Sequence, residues 1–143
     1  MFLGTHFPKL DAKGRIILPA KFRDGLADGL VLTKGQDRCL VVWPRAEFDA
    51  YAEQLRANAQ ANARVRAMTR VFFSSAFDES VDSQGRLTVP PVLREYAGLD
   101  RELTVVGADT RIEIWSTSAW DEYLAQHEAE FAELDLEGGV ALP

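Results

Sequence analysis

Two stretches of the chain, LVLTKGQDRCLVVW (residues 30–43) and LTVVGADTRIEIW (103–115), each hold two short runs rich in Val, Ile and Leu around a polar turn. They predict hairpins with strands at 30–34 and 39–43, and at 103–107 and 111–115. Upstream of each, alternation runs into Asp-x-x-Gly, as in VDSQGRLTV (81–89). This pattern suits a type I turn with glycine in the left-handed position, closing a hairpin that ends in a bulge. Pro19 and Pro90 follow, where proline fits the first turn of a helix and ends a ladder. AKFRDGL and PVLREYAGL are then short helices stopped by Gly25 and Gly98. Helices are also predicted in PRAEFDAYAEQLRAN after Trp43 and in STSAWDEYLAQHEAEFAEL after Trp115. ARVRAMTRVFF (63–73) places Val65, Met68 and Phe72 against arginines at 64, 66 and 70, the spacing of an amphipathic helix. The closing EGGVALP reads as a frayed tail.

These elements occur twice. A shift of 71 residues superposes Asp11 on Asp82, Gly14 on Gly85, Arg15 on Arg86, Pro19 on Pro90 and Arg23 on Arg94. After small length changes Trp43 matches Trp115, Phe48 matches Trp120 and Tyr51 matches Tyr123. The chain thus divides into a first repeat at 1–51, a connecting helical segment at 52–76, a second repeat at 77–123, and an acidic helix end and tail at 124–143. One unit is too small to cover both faces of its sheet. The expected fold class is α+β: two pseudo-symmetric hairpin and helix repeats closed around a common core.

At 143 residues, 47% hydrophobic and 27% charged, the chain has the composition of a folded domain. No run of about 18 apolar residues spans a membrane, and the N-terminus has no signal-peptide pattern, so a cytoplasmic location is expected. Cys39 cannot form an internal disulfide and reads as a buried small hydrophobe. The net charge of −6 argues against a nucleic-acid partner until it is divided along the chain. Residues 1–77 hold twelve Lys/Arg against seven Asp/Glu; residues 78–143 hold four against fifteen. Such asymmetry points to an anionic partner for one face, or to acids that solvate an exposed C-terminal helix.

The repeated Asp-x-x-Gly-Arg has two readings. Asp11 and Asp82 can accept backbone hydrogen bonds across the turn while Arg15 and Arg86 pair with nearby acids. Alternatively, a projecting turn with lysine and arginine fits a DNA major groove, where arginine pairs with guanine and lysine meets phosphate. An acid/base dyad of Asp11 and Asp82 is disfavoured by the polar tips beside them, and His6 and His127 form no constellation. Neither a phosphate-binding Gly-rich signature nor a zinc spacing appears, so the reading is non-enzymatic, without catalytic residues, cofactor or metal.

The opening MFLGTHFPKLDAKGRIILP, the arginine-rich helix leading into DSQGRLTVP, the RELTVVG strand and the IEIWSTSAW segment resemble the MraZ transcriptional regulators, within the AbrB-like superfamily of swapped-hairpin barrels. The likeness covers about residues 1–125. It implies a cytoplasmic, nucleoid-associated protein that binds double-stranded DNA as a ring of protomers. Its implied target is direct repeats upstream of its own gene, at the head of a division and cell-wall cluster, with repression as the family expectation. The implied DNA-facing positions are Asp11, Lys13 and Arg15 in the first repeat and Asp82 and Arg86 in the second, with Gly14 and Gly85 completing the turns. Gln84 stands where the first repeat has Lys13, and Asp78 and Glu79 flank the second turn, so the first repeat is expected to dominate phosphate attraction. Since AbrB-like barrels also serve as protein-binding antitoxins, the rival reading is an interaction module that uses Trp120, Tyr123 and Phe131 as an anchor; core packing is the plainer role for those aromatics.

Overall fold

The computed structural model describes residues 1–134, so the EGGVALP tail lies outside the described residues. Eight strands and five α-helices form in chain order: β1 (Thr5–His6), β2 (Arg15–Ile17), α1 (Ala20–Arg23), β3 (Leu30–Lys34), β4 (Leu40–Pro44), α2 (Arg45–Asn58), α3 (Ala63–Ser74), β5 (Phe77–Glu79), β6 (Arg86–Thr88), α4 (Pro91–Tyr96), β7 (Leu103–Ala108), β8 (Arg111–Ser116) and α5 (Thr117–Ala132). The expected hairpins are β3–β4 and β7–β8. Their turns use left-handed backbone at Asp37, Arg38 and Asp109. Asn62 caps α3 by accepting from the Val65 N–H, and Ser116 caps α5 by accepting from that of Ala119.

The pairing of the remaining strands differs from a chain of local hairpins. The six-stranded sheet runs β1-β7-β8-β4-β3-β5, and β2 pairs with β6 in a separate two-stranded ribbon. The first strand of each repeat therefore adds to the second hairpin of the other, β1 on β7 and β5 on β3. β2 and β6 likewise pair across the repeats, Ile16 opposite Leu87, and β4 meets β8 with Val41 opposite Glu113. Those two registers are mutually consistent with one pseudo-twofold passing between both pairs. The local hairpin expected around Asp-x-x-Gly is thus reduced to its turn, closed by the Gly14 N–H on the Asp11 carbonyl and by one strand bond from the Asp11 N–H to the Arg15 carbonyl, with Gly85–Asp82 and Asp82–Arg86 counterparts. Burial explains the exchange: strands of three residues gain little from each other locally, while cross-repeat pairing puts Ile16, Leu18, Leu87 and Val89 into a shared core.

The sheet is covered on both faces. Leu30, Leu32, Leu40, Val42, Leu103, Val105, Ile112 and Ile114 point inward to the ribbon, Phe22 of α1 and Leu93 of α4, in one continuous cluster. On the outer face Val31, Val41 and Trp43 are covered by Phe48 and Tyr51 of α2 and Phe72 of α3. Trp43 stacks on Tyr51 at 4.9 Å and donates its indole N–H to the buried Thr33 hydroxyl at 2.9 Å. In the second repeat Trp115 packs on Tyr123 and Trp120 of α5, so these two aromatics are spent on packing, as their repeat partners are. Phe131 is 59% exposed and stays outside that cluster.

Two local expectations are corrected. Gly25 does not stop α1, which passes into a 3-10 turn over Asp24–Leu26; the chain reverses at Gly29, whose φ is 101°. Met68 of α3 does not join the buried stripe with Phe72 but is 58% exposed, beside exposed Val71. Gly98 does end α4, at a φ of 60°. Among the described residues no helix is long and apolar enough to cross a membrane.

Candidate nucleic-acid interface

The ribbon has a buried and an outward face. Alternation sends Ile16 and Leu87 inward and leaves Arg15, Ile17, Arg86 and Thr88 together outside, in the cross-strand pairs Arg15–Thr88 and Ile17–Arg86. Because the strands are antiparallel, the two turns stand at opposite ends of this face. Their tips, Ala12-Lys13 and Ser83-Gln84, are exposed.

Each turn is built by its aspartate. Oδ1 of Asp11 accepts the Lys13 and Arg15 backbone N–H groups, both at 2.9 Å, and Oδ2 accepts Arg15 Nε at 2.8 Å. Asp82 repeats all three bonds with Gln84 and Arg86 at the same distances. The two sequence readings of the arginine are thereby combined: its Nε is fixed within the turn, and the rest of the guanidinium lies on the outward face. The Arg15 backbone N–H, then its side chain and the Lys13 N–H, hold the Asp11 carboxyl below the usual carboxylate range; Arg86 and Gln84 do the same for Asp82. Both aspartates are ionised acceptors at neutral pH, the opposite of what a proton-sharing dyad requires.

The two turns differ at two positions, Ala12 against Ser83 and Lys13 against Gln84, and only the second changes the charge. Asp78, expected to repel phosphate near the second turn, is paired with Arg45, which removes part of that handicap. Glu79 lies in β5 opposite Leu30, and burial raises its pKa.

Arg23 and Arg94 enter the interface without having been assigned a role from sequence. Gly14 and Gly85 adopt φ values of 76° and 78°, a region glycine occupies without strain. They are also crowded by arginines of the opposite repeat: a Cβ on Gly14 would lie 2.8 Å from Arg94 Cζ, and one on Gly85 would lie 2.3 Å from Arg23 Cζ. The available signal was the superposition of Arg23 on Arg94; their contact partners lie some 60 to 80 residues away and leave no mark in local pattern.

Cys39 is 2% exposed, and burial, with the Glu113 and Asp37 charges nearby, pushes its thiol up to about 12. It is a packed side chain with no thiolate chemistry to offer.

A family model described as "MraZ protein, putative antitoxin-like" matches twice in tandem, over residues 1–71 and 72–138. A protein of Salinispora tropica named transcriptional regulator MraZ is 61% identical over 98% of this chain and 97% of its own length. Proteins of the same name from Paenarthrobacter aurescens and Thermobifida fusca are 58% and 56% identical, each over 94% of both chains. With both repeats matched, and with likeness over nearly its whole length, the chain belongs to the MraZ family.

Proposed function

We propose that the protein is a sequence-specific DNA-binding transcriptional regulator, a repressor acting on direct repeats in the promoter of its own division and cell-wall gene cluster. One observation carries the reading: the outward ribbon face bears two geometrically matched turns, with Lys13 and Arg15 at one end and Gln84 and Arg86 at the other. A two-stranded ribbon has the width of the major groove, where arginine reads guanine and lysine or backbone N–H groups meet phosphate. The names of the relatives agree with it. Lys13 and Arg15 lead, with Gln84 and Arg86 making the weaker contacts; Asp11, Asp82, Gly14 and Gly85 form the turns.

The strand exchange between repeats supports a swapped-hairpin barrel as the unit that carries the ribbon. The divisions at 1–51, 52–76, 77–123 and 124–143 then mark two ribbon-bearing repeats, each of which runs into the first turns of a helix, α2 or α5, whose remainder serves assembly together with α3. α3 carries Arg64, Arg66 and Arg70 beside exposed Met68 and Val71, and α5 carries Asp121, Glu122, Glu128 and Glu130 beside exposed Leu124 and Phe131. That complementarity favours a head-to-tail homo-oligomer, a ring, over an isolated twofold dimer. A ring multiplies one modest basic patch along tandem sites and gains affinity by effective concentration. Action on promoter DNA places the protein in the cytoplasm, associated with the nucleoid, and requires neither cofactor nor catalysis.

Fluorescence anisotropy with the duplex upstream of the protein's own gene, a scrambled duplex and a salt series tests the reading. Selective binding is expected, with Arg15→Ala losing most of it and lowering the salt slope by about one. Equal affinity for both duplexes, or an Arg15→Ala variant that binds like wild type, would return the turn to a structural part. A second reading, an oligomeric protein-interaction module, draws on the apolar groove of about 250 Å³ along α5 between Trp120 and Phe131. It expects partner binding indifferent to Arg15.

A further inference from the structure

Under each turn the same three contacts close a loop between the repeats. Val89 gives its N–H to the Gly14 carbonyl at 2.8 Å, and its own carbonyl accepts Arg94 Nε at 3.0 Å. The Arg94 guanidinium then lies against Gly14, where no Cβ has room. The mirror set joins Leu18 to Gly85 at 3.0 Å, Arg23 Nε to the Leu18 carbonyl at 3.0 Å, and the Arg23 guanidinium to Gly85.

We infer that Arg94 and Arg23 are positioning residues acting in trans. Arg94, from the second repeat, holds the turn that presents Lys13 and Arg15; Arg23, from the first, holds the turn that presents Gln84 and Arg86. A guanidinium suits the task because it is planar: one edge donates to a carbonyl while its face lies flat on the glycine backbone. Lysine keeps the charge but has neither the plane nor the Nε donor. The turns need such support because the local hairpin beneath each is closed by a single strand hydrogen bond. Each turn is therefore braced from the opposite repeat, and the spacing of the two tips is set by one interleaved unit. The consequence for DNA rests on the function proposed above; the trans coupling itself does not.

Residue-resolved amide hydrogen exchange on the whole protein tests the coupling without DNA. In Arg94→Lys the Lys13 and Arg15 amides should exchange at least tenfold faster, with Gln84 and Arg86 unchanged; Arg23→Lys should show the reverse. Changes confined to the substituted residue's own repeat, changes spread equally over both turns, or no change would overturn the inference. In the anisotropy assay Arg94→Lys should weaken upstream DNA binding several-fold at an unaltered salt slope. For Arg94→Ala, a slope lowered by about one with normal exchange at the first turn would make Arg94 a direct phosphate contact instead. If wild type shows no DNA binding, the proposed function fails while the exchange pattern still decides the coupling. Should the arginine variants fold poorly, Gly14→Asn offers a second route, since asparagine tolerates left-handed backbone. It should lower Tm more than Gly98→Asn, where a Cβ meets nothing within 4 Å, and should speed exchange at the Lys13 and Arg15 amides; equal melting temperatures with unchanged exchange would contradict the contact.

Discussion

Replacing Gly85 by alanine attacks the second turn at its most crowded point. Two costs add. An L-residue at φ near 78° loses about 1–2 kcal/mol to left-handed backbone strain. The new methyl would also stand 2.3 Å from Arg23 Cζ, so the guanidinium must leave and its bond to the Leu18 carbonyl is lost. A hydrogen bond to a charged donor contributes about 1.5–3 kcal/mol, and the lower figure applies because the displaced group reaches water. The sum is about 3 kcal/mol, which for a chain of this size lowers Tm by about 9 °C. Gly98→Ala supplies the internal control: φ is 60° but a Cβ there meets nothing within 4 Å, so only the strain remains. Thermal unfolding followed by circular dichroism, at one protein concentration, should place Gly85→Ala about 5 °C below Gly98→Ala. Equal melting temperatures would show that the Arg23 contact contributes nothing to the fold.

Three further outcomes follow from the same structure. Asp11 and Asp82 have folded pKa values below the ordinary 3.8, so their contribution is present above that value and is lost as pH falls through the lowered ones. Urea midpoints measured from pH 6 to pH 2.5 should therefore fall less steeply for the Asp11→Asn, Asp82→Asn double variant than for wild type; parallel curves would refute the carboxylate bonding. Cys39, with its thiol near 12, should hold about one part in ten thousand as thiolate at pH 8, so Ellman's reagent should react only at the rate of unfolding. Thr33→Val leaves the Trp43 indole N–H without its buried acceptor and should cost about 1–3 kcal/mol in urea unfolding, with a shifted tryptophan emission.

The elements that sequence made legible are those specified locally. Runs of Val, Ile and Leu between left-handed turns produced β3–β4 and β7–β8 nearly residue for residue, and Asp-x-x-Gly produced both turns with glycine at positive φ. Strand partners were another matter. Alternation in IIL and LTV fixes which side chains face the core, but not which strand completes the ladder, and cross-repeat pairing satisfies that alternation equally well. Gly25 failed as a helix stop because Leu26 is 3% exposed, and the 3-10 turn is what carries it into the core. For the candidate interface, Arg15 and Arg86 were legible through their repetition. Arg23 and Arg94 were visible as a matched pair, yet their purpose depends on glycines of the opposite repeat, a contact that only the folded chain creates.

Hydrogen–deuterium exchange of the protein with and without a duplex from upstream of its own gene tests most directly whether the ribbon reads DNA. Protection is expected over residues 11–17 and 82–88, stronger in the first segment, with the exposed face of α5 unchanged. Protection confined to α3 or α5, with both turns exchanging as in the free protein, would contradict a DNA-reading ribbon.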